Sequence, residues 1–159
     1  MKAFALAGSL LCTALTLAGP AAAKPGAHAH ARPMSPREVV DAFDNLILEH
    51  KAREAIERFI APDFVEHDPV VAVDGRDGLL RYMREHGWES GGDTGMKDVI
   101  DREISQGDMV MVHHHIVRHP GDRAQVFVDI FRLRGGLIVE HWDVMQEVPE
   151  HTGNKHTMY

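Results

Sequence analysis

From Ser35 onward the apolar positions recur every three to four residues, so that Val39, Val40, Phe43, Leu46 and Ile47 fall on one stripe of a helix. Ser35-Pro36-Arg37-Glu38 precedes that stripe and supplies an N-cap hydroxyl, a proline in the first turn and a glutamate at N3, the capping-box pattern. The spacing predicts a second, short helix over 51–60, ending before Pro62, and a third over 76–86, stopped by Gly87. Between them 63–69 reads as extended, because Pro69 disfavours helix at Asp68. Beyond a glycine-rich loop over 90–95 the period drops to two. Strand-like runs over 96–105, 109–118, 124–134 and 137–146 are separated by Gly107-Asp108, Pro120-Gly121-Asp122 and Gly135-Gly136. Helices first and an antiparallel meander afterwards make the chain α+β.

Gly135-Gly136 is the strongest turn signal, since a two-residue primed turn needs positive φ at both centres. It predicts a register in which Arg134 pairs with Leu137 and Asp129 lies opposite Trp142. On that expectation one face carries Phe127, Asp129, Phe131, Trp142 and Gln146, and the other carries Val128, Ile130, His141 and Asp143.

The first 34 residues follow neither period. Met1-Lys2, an apolar run over 3–18 and Ala21-Ala22-Ala23 read as a signal peptide over 1–23, cleaved after Ala23, which predicts export to the periplasm or medium. The lone cysteine, Cys12, lies inside that run behind Leu11, which is not the small residue a lipid anchor requires, so no disulfide or anchor is expected in the mature chain. Residues 24–34 read as a flexible leader in which His28 and His30 are simply solvated, 35–150 as one domain, and 151–159 as a mobile tail. Composition narrows the field further. Of 159 residues 44% are hydrophobic, and 17 Lys and Arg face 24 Asp and Glu for a formal charge of −7, which sets the protein's own field against nucleic acid. Once the signal is removed, no apolar stretch is long enough to span a membrane.

Polar residues planted in apolar strands are where chemistry is expected, because a buried carboxylate or imidazole without a partner is costly. Asp129 sits among Phe127, Val128, Ile130 and Phe131. Either it pairs with a cation such as Arg132 in a structural network, or it lines a cavity as a base with a raised pKa. Alternation puts His113 and His115 on one face with Met109 and Met111, looking into the interior, and leaves His114 on the other face without a role. His67, just ahead of Asp68-Pro69, is either a turn residue or an imidazole at a pocket mouth. Trp142 either fills core or lines a ligand cavity, and Gln146 is expected on its face.

Phe64-Val65-Glu66-His67-Asp68-Pro69, Gly107-Asp108 opening a strand into His113, Val128-Asp129-Ile130-Phe131-Arg132 and Glu140-His141-Trp142-Asp143 together resemble the SnoaL-like polyketide cyclases of the nuclear-transport-factor-2-like superfamily. The D-I-F-R and E-H-W-D motifs are most similar to the subgroup described as aldol-condensation enzymes. The resemblance spans roughly 35–150. It implies a cone-like α+β fold, three N-terminal helices packed in a strongly curved antiparallel sheet, with a deep apolar pocket and a homodimer. It also implies a base aspartate four residues after the tryptophan, where this chain has Gln146.

Three functions compete. In the first, a metal-free, cofactor-free enzyme acts on a small apolar carbonyl compound: Asp129 or His113 removes a proton, His67 or His115 donates to the enolate oxygen, and Trp142, Phe127 and Phe131 shape the pocket. In the second, His113 and His115, six and eight residues after Gly107, hold a metal in the manner of a cupin opening, but the glutamate expected near His119 and the later histidine half are missing. No metal site is therefore expected. In the third, the chain is a non-catalytic pocket for a small hydrophobic ligand, a reading that Gln146 in place of a base favours.

Overall fold

The computed structural model describes residues 32–89 and 95–159; the expected signal peptide, most of the leader and the loop residues 90–94 lie outside the described residues. Helix α1 spans Pro36–Leu48, and its capping box is present: the Ser35 hydroxyl accepts from the Glu38 N–H, and the Glu38 carboxylate accepts from the Ser35 N–H at 2.8 Å. Arg32, at the leader's end, ion-pairs with the same carboxylate. Helix α2 follows over Ala52–Phe59, and strand β1, Ile60–Glu66, starts at the next residue and runs straight through Pro62. A proline is tolerated there because β1 lies at the sheet edge, where a missing N–H breaks no interior ladder. Helix α3, Gly75–Glu85, is capped by Asp74. Its Gly78 cannot be replaced cheaply, since a Cβ would lie 1.5 Å from the Val73 carbonyl oxygen.

The meander has the expected order: β2 Lys97–Gln106, β3 Met109–Val117, β4 Gln125–Arg134 and β5 Leu137–Glu147. Gly135 and Gly136 take φ of 60° and 82°, as a primed hairpin requires. The sheet order is β1-β5-β4-β3-β2, and β1 pairs with β5 in parallel, so the sheet is mixed rather than wholly antiparallel. Helix α1 lies on its inner face, where Val39, Val40, Phe43 and Ile47 meet Val110, Val112, Phe131 and Leu133. Each such fully buried aliphatic side chain contributes about 1.5–3 kcal/mol, which fixes the helix on the sheet.

The hairpin register departs from expectation after one step. Arg134 pairs with Leu137 and Leu133 with Ile138, but Arg132 then pairs with Glu140, leaving Val139 as an extra residue. This β-bulge moves every later β5 side chain to the opposite face. Asp129 faces Asp143 rather than Trp142, and Trp142 pairs with Ile130. The expected faces of Trp142, Gln146, His141 and Asp143 are thereby corrected. On β3 the facing of the histidines is corrected too. His114 pairs with Phe127 on the inner face, while His113 and His115 pair with Val128 and Val126 on the outer one. The tail is not free at its end, for the Tyr159 ring stacks on His115 at 3.8 Å between centroids.

Candidate active site

The inner face of the sheet, α1 and α3 surround a cavity of about 120 Å³. Phe43, Phe64, Leu79, Phe127 and Phe131 make much of its wall apolar. The volume is near the ~150 Å³ that accommodates benzene in an engineered apolar cavity.

A chain of alternating carboxylates and imidazoles crosses this wall. His114 donates from Nδ1 to Asp98 Oδ1 at 2.7 Å and from Nε2 to Asp129 Oδ2 at 2.9 Å. His141 donates from Nδ1 to Glu66 Oε1 at 2.9 Å, and its Nε2 lies 3.6 Å from Asp129 Oδ1. All five strands contribute: β2 gives Asp98, β3 His114, β4 Asp129 and β5 His141, and Glu66 ends β1. Burial works against charge on both imidazoles, but the carboxylates on either side outweigh it and hold each up at about 10. Burial by itself would raise the Asp129 carboxyl, yet its two imidazolium partners keep it well below the usual carboxylate range. Of the two readings of Asp129, the ion-paired network fits rather than the base with a raised pKa, but its cations are His114 and His141, and Arg132 pairs with Glu140 at 2.6 Å instead.

Two other carboxyls line the same cavity, and among the described residues neither accepts a hydrogen bond. Burial, with Asp129 next in effect, raises the Asp44 carboxyl well above its ordinary value. Burial, then Asp68 and Asp129, pushes Asp143 up to about 6.

Of the expected site residues, Asp129, Phe127 and Phe131 line this cavity. His113, His115, His67, Trp142 and Gln146 do not. His67 stacks on Trp142 at 4.6 Å and 5°, over a surface that also holds Arg132, whose guanidinium lies 5.6 Å from the indole. His113 contacts Arg102, and His115 meets Asp101 Oδ2 at 2.8 Å. Gln146 pairs with Val126 and is exposed, so the glutamine at the position of the anticipated base has no place in the cavity; the β5 acid there is Asp143. Among the described residues no three His, Cys, Asp or Glu side chains converge as a metal site.

Asp44, Asp98, Glu66 and His114 went unrecognised in the sequence. Asp44 had a signal: it stands four residues after Val40 and three before Ile47, on the apolar stripe of α1. For β3 the signal was branching, since β-branched Val110, Val112 and Ile116 share the parity of His114, while Met109 and Met111 share that of His113.

The family comparison now has a structure to stand on. The SnoaL-like domain profile matches residues 37–141, a stretch that includes His114, Asp129 and His141. The chain belongs to the SnoaL-like domain family. No curated protein matches it. Among solved structures, this SnoaL-like chain is similar to an NTF-2 like protein of unknown function from Burkholderia xenovorans, with 19% identity over 74% of this chain and 88% of that one and a TM-score of 0.60. A candidate ketosteroid isomerase from Kribbella flavida shares 21% identity over 75% and 83% of the two chains, with a TM-score of 0.57. IdmH from Streptomyces antibioticus, described as a candidate polyketide cyclase, shares 20% over 70% and 92%, with a TM-score of 0.54. At these identities the likeness is one of fold, and the fold is nuclear-transport-factor-2-like.

Proposed function

We propose that this chain is an acid/base enzyme that removes a proton α to the carbonyl of a small, largely apolar compound held in the cavity. The observation that carries the reading is the pair Asp44 and Asp143, two carboxyls in one largely apolar cavity with no hydrogen-bond donor from the described residues, both raised above the ordinary carboxylate value by burial. Environments that separate the pKa values of two titratable groups assign the acid and the base. Asp143, ionised at pH 7 yet more basic than an ordinary carboxylate, accepts the α-proton. Asp44, whose carboxyl burial pushes toward the neutral form, donates a hydrogen bond to the carbonyl oxygen as negative charge develops on it. The resulting enolate takes a proton back at another carbon in an isomerisation, or attacks a second carbonyl in a cyclisation or aldol-type step. Asp129 acts through its neighbours: fixed by His114 and His141, its charge helps to hold the pKa of both Asp44 and Asp143 up. The N-terminal pattern supports the same reaction in an exported protein.

The test is exchange of α-protons for deuterium in D2O, followed by NMR over a panel of small cyclic and aryl ketones. The wild-type chain should accelerate exchange of at least one ketone, and Asp143→Asn should lower that rate by roughly 10²–10⁴-fold. A ketone that binds in the cavity but exchanges at the buffer rate would sink the reading and leave a non-catalytic pocket.

A further inference from the structure

The carboxyl groups of the cavity are not distributed evenly. Glu66, Asp68 and Asp143 line the cavity with Tyr82 and Arg118: the Asp68 N–H donates to Glu66 Oε1, the same oxygen accepts from His141, and Asp143 follows His141 on the same face of β5. Asp44 lies within the field of Asp129, His114 and Asp98. Asp143 has no donor, and Asp68 Oδ1 accepts only the local Val70 N–H at 2.9 Å. Glu66 is the decisive group. Its side chain is 1% exposed and lines the cavity; Oε1 accepts from His141 and from the N–H groups of His67 and Asp68, whereas Oε2 is buried without any partner. A buried acceptor left without a donor costs roughly 1–3 kcal/mol, and natural sites keep such an atom where a ligand supplies the donor.

The two imidazolium cations of the wall are already engaged, while Arg118 keeps a charge that no carboxylate of the described residues pairs with. His114 and His141 direct both ring nitrogens at carboxylates, and Arg118 Nε donates to Gln125 Oε1 at 2.9 Å. A substrate carboxylate or phosphate would enter a wall richer in anions than in cations and find no imidazole N–H to receive it. A positively charged donor meets the opposite situation.

We propose that the compound bound here carries a protonated amine, seated where Glu66, Asp68 and Asp143 line the cavity, so that the substrate class is a small apolar carbonyl compound bearing a basic nitrogen. The carbonyl part of that description rests on the acid/base reading above; the amine part rests on the orphaned Glu66 oxygen and the two acids beside it. An ammonium α or β to the carbonyl also acidifies the C–H bond that Asp143 is to break, while its charge lowers the basicity of Asp143, so the two effects oppose each other.

Calorimetry with three ring-sized probes at pH 7 separates the possibilities: cyclohexylamine, cyclohexanol and cyclohexanecarboxylate. The amine should bind about tenfold or more tightly than the alcohol, the ratio expected when a charge pair is formed out of bulk water, and the carboxylate should not bind. Asp68→Asn and Asp143→Asn, which keep side-chain shape, should each bring the amine-to-alcohol ratio toward one without weakening the alcohol. An alcohol or carboxylate that binds as tightly as the amine, a ratio unchanged in both variants, or no binding of any probe overturns the proposal. Amine preference without ketone exchange would overturn the acid/base reading alone, and exchange of neutral ketones without amine preference would overturn only the amine.

Discussion

His114 is joined directly to His113 and His115, yet the three imidazoles lie on opposite faces of the sheet. The inner one is 8% exposed and gripped by two carboxylates; the outer two look away from the cavity, one against Arg102 and the other against Asp101 and the Tyr159 ring. The same contrast runs along β5, where inner His141 and Asp143 alternate with outer Trp142. Residue type therefore says little about role in this sheet, and the face says most of it. A buried ion pair contributes little net stability while intact, but removing one partner exposes the full desolvation cost of the other.

The contrast is sharpest for Asp129. Asp129→Ala leaves two buried imidazoliums each short of a partner, and urea unfolding at pH 7 should show a loss of about 3–5 kcal/mol. A loss under about 1 kcal/mol would mean that the inner and outer faces are energetically alike, and the comparison would fail.

Next in size is the pH dependence. His114 and His141 have folded pKa values raised to about 10, so their contribution is fully present below their unfolded value of about 6.5 and is lost as pH rises toward 10. Asp129 is depressed, so its contribution is present above the unfolded value of about 4 and is lost as pH falls below it. Stability should accordingly peak between about pH 4 and 6.5, with an alkaline decline of a few kcal/mol in the unfolding free energy that His141→Gln makes shallower. A flat unfolding free energy from pH 6 to 10 would show that the inner imidazoles are not held charged.

Asp143 should behave with the opposite sign. Its raised pKa means that ionisation costs the folded state stability as pH rises from about 4 through about 6, so Asp143→Asn should stabilise the protein at pH 8, on the order of 1 kcal/mol after solvent screening, and leave it unchanged at pH 3. Equal effects at both pH values would place the group outside the cavity's field. The smallest effect belongs to the outer face: His113→Ala should change stability by about 0.5 kcal/mol or less and leave ketone exchange untouched.

The elements were legible in the sequence because local rules govern them. The Ser35 capping box, the Gly87 stop and the Gly135-Gly136 turn each depend on a few neighbouring residues, and each stands where the pattern put it. Phe127, Asp129 and Phe131 were placed together for the same reason, since one uninterrupted strand carries all three. The fate of β5 was not legible. Nothing local distinguishes Val139 from its neighbours Ile138 and Glu140 as the residue left without an opposite number, and the bulge is set by how β5 fits between β1 and β4. Which face of β3 is inside depends likewise on where α1 lands, because Met109, Val110, Met111 and Val112 offer an apolar residue to both sides.

The bulge at Val139 behaves toward side chains as an inserted base behaves toward codons: everything downstream is read in another frame. One extra residue exchanges the indole and glutamine of β5 for its imidazole and carboxylate without substituting any of them. Proteins of this fold could thus trade one set of cavity residues for another through the gain or loss of a single strand residue, a step that leaves composition almost unchanged and that a position-by-position alignment would record as a gap rather than as a change of chemistry.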